Sequence, residues 1–263
     1  MKNTLRKYFR LAMGLAVAVT LPSCLQNETT ISLNKDGSGT IVEETTLGAQ
    51  MMQMMTQFAQ PGQPDPIEEM FAEKKAKEKA TSMGEGVEYV KTEIFEKDGK
   101  KGAKVHYKFA DINKISVNPS DAVNDMQPDG APAEEGDDEA VKFAYADGKL
   151  KIIVPPADFD DMSMDDQLQD PQQEAMMMQM MADMRLTLKL KIPSGIEKTT
   201  ATHVEGDTIT LFDVQVGKMF AQKDKLKEIS ETAKTDMDAA KAAFNKVDGI
   251  KVETKENATV TLK

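Results

Sequence analysis

The sequence repeats one pattern along most of its length: an alternating stretch, a turn containing glycine and an acidic residue, then a second alternating stretch. Aspartate and glycine tolerate the positive φ that tight turns need, so Asp-Gly between such stretches is a strong hairpin signal. The pattern predicts five hairpins, at 30–47, 87–109, 141–154, 198–212 and 250–262. Stretches such as 105–109 alternate apolar with charged or polar residues, which indicates an antiparallel sheet with one buried and one solvent-exposed face.

The first turn, NKDGSGTI at 34–41, has oxygen-bearing side chains at alternate positions, as a calcium-binding loop does. Such a loop requires a bidentate glutamate at its twelfth position, which here is Thr45. The flanking residues also have strand composition, whereas the calcium motif has helices on both sides. The stretch is therefore predicted to be a hairpin turn and not a metal site.

Helical patterns interrupt the hairpins. Leu47, Met51, Met54, Met55 and Phe58 share one helix face, and Asp65-Pro66 is a good start for a helix reaching about Ser82. Further helices are predicted at 172–184, 220–231 and 236–245. Hairpins with interspersed helices predict an α+β fold, in which antiparallel hairpins form one or two sheets and the helices pack on one face.

The N-terminus reads as an export signal. Four basic residues precede a short apolar stretch that ends at Leu21, and the boundary Leu21-Pro22-Ser23-Cys24 follows. The apolar stretch is too short to span a bilayer as a helix. Because Cys24 is the only cysteine, an intramolecular disulfide is excluded. We therefore predict a lipoprotein signal peptide at 1–23, resembling the bacterial lipobox, and a mature domain at 24–263.

The predicted lipid attachment site is Cys24, with acyl chains on its sulfur and its amino group. Several acyl chains give stable anchoring where one gives only marginal binding. The membrane is therefore an expected partner, and this N-terminal lipid would hold the protein to it. Residue 25 is leucine and not aspartate. By analogy with lipoproteins of bacteria that have two membranes, this predicts the cell envelope, at the periplasmic face of the outer membrane.

The charge balance excludes one class of partner. Loss of residues 1–23 removes four basic and no acidic residues, so the net charge falls from −11 to −15. Such an acidic body argues against binding nucleic acid. The stretch 117–138 is rich in proline, glycine and acidic residues, with almost no large apolar side chain. It is predicted to be a disordered acidic loop.

Two parts of the chain resemble a known family. The lipobox cysteine followed by a strand, Asp-Gly-Ser-Gly and a second strand (24–47), and LKLKIPSGIEKTTATHVEGDTITLFDV near 185–213, are similar to the LppM-type bacterial envelope lipoproteins. Relatives of that type often end in a transmembrane helix, whereas this chain ends in ATVTLK. The resemblance implies an α+β domain on an envelope lipoprotein that binds lipid or glycolipid, with no catalytic residues to carry over.

Methionine is the chemically distinctive residue. The chain has 19 methionines, and ten of them fall in two runs, at 51–55 and 176–184. Both runs have helical spacing, so they fit a helix core, and flexible thioethers also fit an adaptable apolar groove. The predicted groove residues are Met51, Met55, Phe58, Met177, Met180, Met181 and Met184.

Thioethers also select Cu(I), so a periplasmic Cu(I)-handling protein is the alternative. Such sites usually recruit histidine or cysteine, but His106 and His203 lie far in sequence from both runs. No Ser/His/Asp motif with elbow spacing and no phosphate-binding glycine loop is present. The sequence therefore predicts a binding or structural module that is not an enzyme and has no cofactor, with a lipid-like ligand or an envelope protein as partner.

Overall fold

The structure is a computed structural model of the chain, and it describes residues 25–58, 65–119, 121, 140–156, 159 and 181–263. The predicted signal peptide, Cys24 and nearly all of the predicted loop 117–138 lie outside these ranges. Within the described residues, the chain forms thirteen strands in two sheets, six α-helices and one short 3-10 turn, Ile112–Lys114. The mixed composition and the two sheets confirm the predicted combination of helices and sheets.

The larger sheet has eight strands. Along its width the order is β10-β11-β8-β1-β2-β4-β3, and β12 also pairs with β11. The strands are β1 (Leu25–Leu33), β2 (Gly39–Leu47), β3 (Val87–Lys97), β4 (Lys100–Phe109), β8 (Arg185–Lys191), β10 (Val204–Glu205), β11 (Thr208–Gln215) and β12 (Ile250–Val252). Its pairings are antiparallel except that β1 and β8 run parallel, which the hairpin pattern does not predict.

The smaller sheet has five strands in the order β5-β6-β7-β13-β9, all antiparallel. They are β5 (Ser116–Val117), β6 (Val141–Ala146), β7 (Lys149–Ile153), β9 (Ile196–Thr199) and β13 (Asn257–Leu262). One buried cluster joins side chains of both sheets, for example Ile31 and Leu190 of the larger with Phe143 and Val260 of the smaller. We call this cluster the inter-sheet core.

Two groups of helices complete the fold. The first group contains α1 (Ala49–Phe58), α2 (Pro66–Met70) and α3 (Glu73–Ser82), and the second contains α4 (Val216–Phe220), α5 (Lys223–Ala233) and α6 (Met237–Phe244). The second group has its own buried cluster, built on Leu226, Ile229 and Phe244. That both groups lie on one face of a sheet stays a prediction.

The helix predicted from Asp65 to Ser82 begins as expected but is broken in two. The side chain of Asp65 accepts a hydrogen bond from the backbone N–H of Ile67 at 2.8 Å, which caps α2. At Ala72 the backbone becomes extended, and α3 starts one residue later. Ile67 in α2 and Phe71, the residue at which α2 ends, are both buried in one apolar cluster. The break between α2 and α3 accompanies the burial of this pair.

Three predicted hairpins are confirmed, a fourth forms only next to its turn, and the fifth is wrong. Strands β1 and β2, β3 and β4, and β6 and β7 pair as hairpins. The turn residues Asp98, Gly99, Asp147 and Gly148 all have positive φ, as the Asp-Gly signal predicts. In the turn at 34–41, Asp36 accepts hydrogen bonds from the backbone N–H and the hydroxyl of Ser38, so this carboxylate holds the turn itself.

In the predicted hairpin at 198–212, β10 and β11 pair around Gly206 in the larger sheet, and β9 lies in the smaller one. The two strands of the predicted hairpin at 250–262 lie in different sheets. β9 pairs with β13 in the smaller sheet, and β12 pairs with β11 in the larger. The reason lies at Glu253, which is 1% exposed. Its carboxylate accepts hydrogen bonds from the backbone N–H and hydroxyl of Thr202 and from the N–H of Lys255, so it fixes the chain where it passes between sheets.

Candidate ligand-binding site

An apolar cluster lies at the end of the larger sheet where β1 begins. Leu25, the first residue of β1, pairs with Leu47, the last residue of β2, and both are fully buried. The buried members are Leu25, Leu47, Ile67, Phe71 and Ala103, and the partly buried side chains packed on them are Met51, Met52, Met55, Met70 and Met184. We call this group the methionine cluster.

The structure brings together three of the predicted groove residues. Met51, Met55 and Met184 all pack on the methionine cluster, although Met55 and Met184 are 129 positions apart in the sequence. Met184 also packs on the cluster of the second helix group, together with Met181. Met177, Met180 and Cys24 lie outside the described residues, and the same holds for the side chain of Phe58.

The methionines lie at a border between buried and exposed surface. Met51, Met52, Met55, Met70 and Met184 keep part of their surface exposed, whereas the leucines beneath them keep none. An unbranched thioether side chain adopts several shapes at low cost, so methionine fits surfaces that repack around different partners. Helix α1 carries no acidic residue in its first turn and no basic residue in its last. This border is therefore apolar and deformable.

A row of buried polar side chains separates the methionine cluster from the inter-sheet core. On β1 and β2, Asn27, Thr29 and Glu43 are buried on the same face as the leucines and isoleucines. The amide of Asn27 donates to Oε1 of Glu43 at 3.0 Å and to the hydroxyl of Thr45 at 2.9 Å. From α3 above, Nζ of Lys79 donates to the same Oε1 at 2.6 Å.

The pair formed by Lys79 and Glu43 is shielded from water, because their side chains are only 14% and 7% exposed. A buried ion pair gains little over an apolar pair of the same shape, but removal of one partner leaves an uncompensated charge and costs about 3–5 kcal/mol. The pair therefore fixes α3 in place over the sheet more than it adds to stability.

Two cavities adjoin this pair. The larger, of about 70 Å³, lies between the first helix group and strands β1, β2 and β4, with Met70, Phe71 and Val105 among its apolar walls and Thr45 among its polar ones. The smaller, of about 10 Å³, lies towards Thr29, Met83 and Leu188. Both are lined by Asn27, Glu43 and Lys79. The larger cavity thus has apolar walls with a few convergent polar groups, as small-molecule sites do, at a volume below the roughly 300–1,000 Å³ usual for them. Most residues that line the smaller cavity are polar.

Sequence reasoning missed this polar row, although a signal for it exists. In β1, Asn27 and Thr29 have the same parity as Leu25 and Ile31, and in β2, Glu43 has the same parity as Ile41. A carboxylate at an inward position of an alternating strand requires a buried partner. That partner, Lys79, lies 36 residues further along on a helix.

A second ion pair lies on the opposite face of the larger sheet. Arg185 donates from Nε and Nη2 to the two oxygens of Asp213, each at 2.8 Å, across β8 and β11. Burial alone would raise the pKa of Asp213, but hydrogen bonds and charge from Arg185 outweigh burial and hold that pKa below its ordinary value. This bidentate geometry ties two strands together.

Among the described residues, each histidine has a polar neighbour on its own part of the fold. Nε2 of His203 lies 3.1 Å from Oδ1 of Asn245, and His106 lies on β4 near Glu93. Over the ranges that the structure describes, no group of three or more histidine, cysteine, aspartate or glutamate side chains is placed to hold a metal ion. Met176, Met177, Met178 and Met180 lie outside the described residues, and the copper alternative stays a prediction.

Among the helices that are described, none is both long and apolar enough to cross a bilayer.

Comparison with known proteins gives little beyond the sequence. No protein-family model matches the chain, and no curated protein matches it. Among solved structures, the chain is similar to the folded domain of Mycobacterium tuberculosis LppM, determined by NMR, with 12% identity and a TM-score of 0.28. The match covers 74% of this chain and 85% of that domain. A TM-score this low carries no argument about the fold or the function of this chain.

Proposed function

We propose that the protein is a lipoprotein of the cell envelope, anchored through Cys24 at the periplasmic face of the outer membrane, that binds a lipid-like ligand and catalyses no reaction. One observation carries the proposal: the methionine cluster adjoins a cavity with a polar floor, formed by Asn27 and Glu43. A site that is apolar along one side and hydrogen-bonding at its base is complementary to an amphiphile.

The position of the site supports the same proposal. Strand β1 begins at Leu25, which is buried in the methionine cluster, and Cys24 is the residue before it. Consecutive Cα atoms are about 3.8 Å apart, so a lipid on Cys24 would hold this end of the sheet beside the bilayer. A ligand could then pass between the membrane and the site over a short distance.

The chemistry of the polar row favours binding over catalysis. Asn27, Glu43 and Lys79 bond to one another, and nothing in this arrangement sets a nucleophile against a free base. Thr45 completes the row by accepting from Asn27. Such a satisfied network orients a ligand and holds its own shape.

Ligand binding can be tested with the mature chain carrying Cys24→Ser and a fluorescent fatty acid. We expect saturable binding that weakens at least several-fold in Met51→Gln/Met55→Gln, because each thioether is replaced by an amide that must stay hydrated. Met237→Gln is the matched control, since Met237 is 42% exposed on α6 and belongs to no buried cluster of the described residues. Equal weakening by the control variant, or no binding by the parent protein, would contradict the proposal.

Anchoring can be tested separately by mass spectrometry of the full chain from membranes. We expect the mature N-terminus at Cys24 with the mass of an attached diacylglycerol and an acyl chain, and loss of membrane association in Cys24→Ala. An unmodified Cys24 in membrane-associated protein would refute the anchor. The proposed ligand site would still be tested separately by the binding of the fluorescent fatty acid.

A further inference from the structure

The outward face of the smaller sheet carries lysines and no carboxylate in its rows. Along β6, β7 and β13, buried and exposed residues alternate, so the exposed ones share the face that points away from the inter-sheet core. The strand register sets this face in three rows across the sheet: Ser116, Lys142, Ile153 and Asn257; Ala144, Lys151 and Thr259; Ala146, Lys149, Thr261 and Lys198. The four lysines are all exposed, and we call them the lysine face.

The lysine face is not neutralised by the rest of the domain. Across the ranges that the structure describes, none of its four side chains forms an ion pair or donates a hydrogen bond. On the outward face of the larger sheet, by contrast, lysines reach carboxylates on neighbouring strands. Nζ of Lys189 lies 2.6 Å from Oε2 of Glu28, and Nζ of Lys104 lies 2.9 Å from Oε2 of Glu44. One outward face is therefore charge-paired, and the other keeps free positive charge.

This positive surface belongs to an acidic chain, with 44 acidic and 33 basic residues. At its border, Asp147 lies in the turn between β6 and β7, and Glu197 precedes Lys198 on β9. Salt screens exposed charges over about 8–10 Å, so a partner in contact with the lysine face is attracted by these lysines and hardly repelled by carboxylates on the far side of the domain. The net charge of the chain therefore does not exclude an anionic partner at this one surface.

We infer that the lysine face docks on a membrane surface containing anionic lipid and so fixes how the anchored domain lies on the bilayer. The longest side chains on this face are those of the lysines and of Ile153, which is 36% exposed. The side chains between them are small, which leaves the face flat: Ser116, Ala144, Ala146 and Thr259. A planar array of headgroups can meet all four lysines at once, and each lysine held near an anionic leaflet strengthens binding about fivefold.

The inference rests on the proposed anchor at Cys24 and does not need the ligand site. The smaller sheet covers the end of β1 that contains Ile31 and Leu33, whereas Cys24 precedes the opposite end, at Leu25. A lipid at one end alone lets the domain swing about that point. A second contact at the lysine face holds the domain in one orientation, and its proximity to the anchor adds to the overall affinity for the membrane.

Vesicle binding tests the lysine face without the anchor, in the mature chain carrying Cys24→Ser. The probes are vesicles of equal parts phosphatidylcholine and phosphatidylglycerol, and vesicles of phosphatidylcholine alone. At low salt we expect binding to the anionic vesicles only, at least tenfold weaker in Lys142→Gln/Lys149→Gln/Lys151→Gln/Lys198→Gln. High salt should weaken the binding of the parent protein. Thermal unfolding of this variant should match that of the parent protein, because all four side chains are exposed.

A matched control has the same net charge but keeps the lysine face. It changes to glutamine four exposed lysines that lie elsewhere: Lys74, Lys97, Lys225 and Lys246. We expect this control to bind the anionic vesicles as the parent protein does. Equal weakening in the control would overturn the inference, because net charge alone would then explain the loss.

Three other results would also overturn it. They are the absence of vesicle binding by the parent protein, equal binding to both kinds of vesicle, and binding that appears only when residues 122–139 are removed. The last result would assign the lysine face to that acidic stretch of the same chain. The test involves neither the lipid on Cys24 nor the ligand site, and Met51→Gln/Met55→Gln should bind the vesicles as the parent protein does. A failure here is therefore distinct from a failure of the proposed function.

Discussion

The inner face of the larger sheet has two ends that are built differently. At one end, Ile31 and Ile41 are fully buried beneath the smaller sheet. At the other, Leu25 and Leu47 are equally buried, but their cover is a set of helices and half-buried methionines. The same two strands supply both ends, and only the polar row around Glu43 separates them.

The difference shows how one sheet can be rigid and adaptable at once. Two sheets packed face to face interdigitate closely, and a core of this kind resists change in volume. Short helices and methionine side chains pack on a sheet less regularly than a second sheet does, and they repack more easily. The buried polar row marks where close packing ends, because polar side chains must satisfy one another there. The proposed ligand site lies on the side of this boundary that the helices and methionines cover.

The largest expected effect comes from breaking the boundary itself. Lys79→Met should lower the free energy of unfolding by about 3–5 kcal/mol, because it leaves Glu43 buried without its cation. Urea denaturation measures this, and the double variant Glu43→Gln/Lys79→Met should recover a large part of the loss. A single variant as stable as the parent protein would show that the pair is not shielded from water.

The next effect compares the two ends by truncation. Leu190→Ala in the inter-sheet core should cost about 2–5 kcal/mol, because the rigid surroundings leave a cavity. Met55→Ala should cost roughly half as much or less, because part of its side chain is already exposed and its neighbours can move. Chemical denaturation of both variants gives the ratio. Equal losses would mean that the two ends are packed alike.

A smaller effect on stability should come with a clear effect on binding. Met51→Leu/Met55→Leu conserves side-chain volume, so the free energy of unfolding should change by less than about 1.5 kcal/mol. Binding of a fluorescent fatty acid should still weaken, because branched leucine repacks less readily than methionine. Unchanged affinity across several ligand lengths would indicate that hydrophobic volume alone matters at these positions.

The smallest effect is a pH dependence on the opposite face of the sheet. Burial alone would raise the pKa of Asp213 in the folded state, but the hydrogen bonds and the charge of Arg185 lower it below its ordinary value. The pair therefore stabilises the fold above the unfolded pKa, near 3.8, and this contribution is lost as the pH falls through the folded pKa. Because Arg185 is 43% exposed, the gain is screened and should be about 1 kcal/mol or less.

Asp213→Asn isolates this contribution. The variant should be less stable than the parent protein at neutral pH, and the two should converge as the pH is lowered below 3.8. Thermal unfolding over a pH series measures the difference. A gap that stays constant down to the lowest pH would assign the effect of the substitution to packing.

Local signals in the sequence predicted a good part of the fold. The turns at Asp98-Gly99 and Asp147-Gly148 form where the residues favour positive φ, and Asp65 caps α2 through its own carboxylate. These features are set within a few residues, so sequence spacing is enough to find them. The shared helix face of Met51 and Met55 was predicted for the same reason, and both side chains pack on the methionine cluster.

The features that sequence reasoning missed depend on distant partners. The parallel pairing of β1 with β8 joins residues about 160 positions apart, such as Thr29 and Leu188. The split of β12 and β13 between sheets depends on Glu253 reaching Thr202. The polar row was missed because the buried carboxylate of Glu43 is explained only by its partner Lys79, which lies 36 residues away on a helix. Local periodicity carries no information about such contacts.

The most direct test of the account is native mass spectrometry of the mature chain, carrying Cys24→Ser and exported to the periplasm behind a cleavable signal. The account predicts that protein purified without detergent carries an adduct with the mass of a lipid, which Met51→Gln/Met55→Gln loses and Met237→Gln retains. A bare polypeptide mass for the parent protein, together with no fatty-acid binding in solution, would contradict the central claim that the methionine cluster and its cavity form a lipid-binding site.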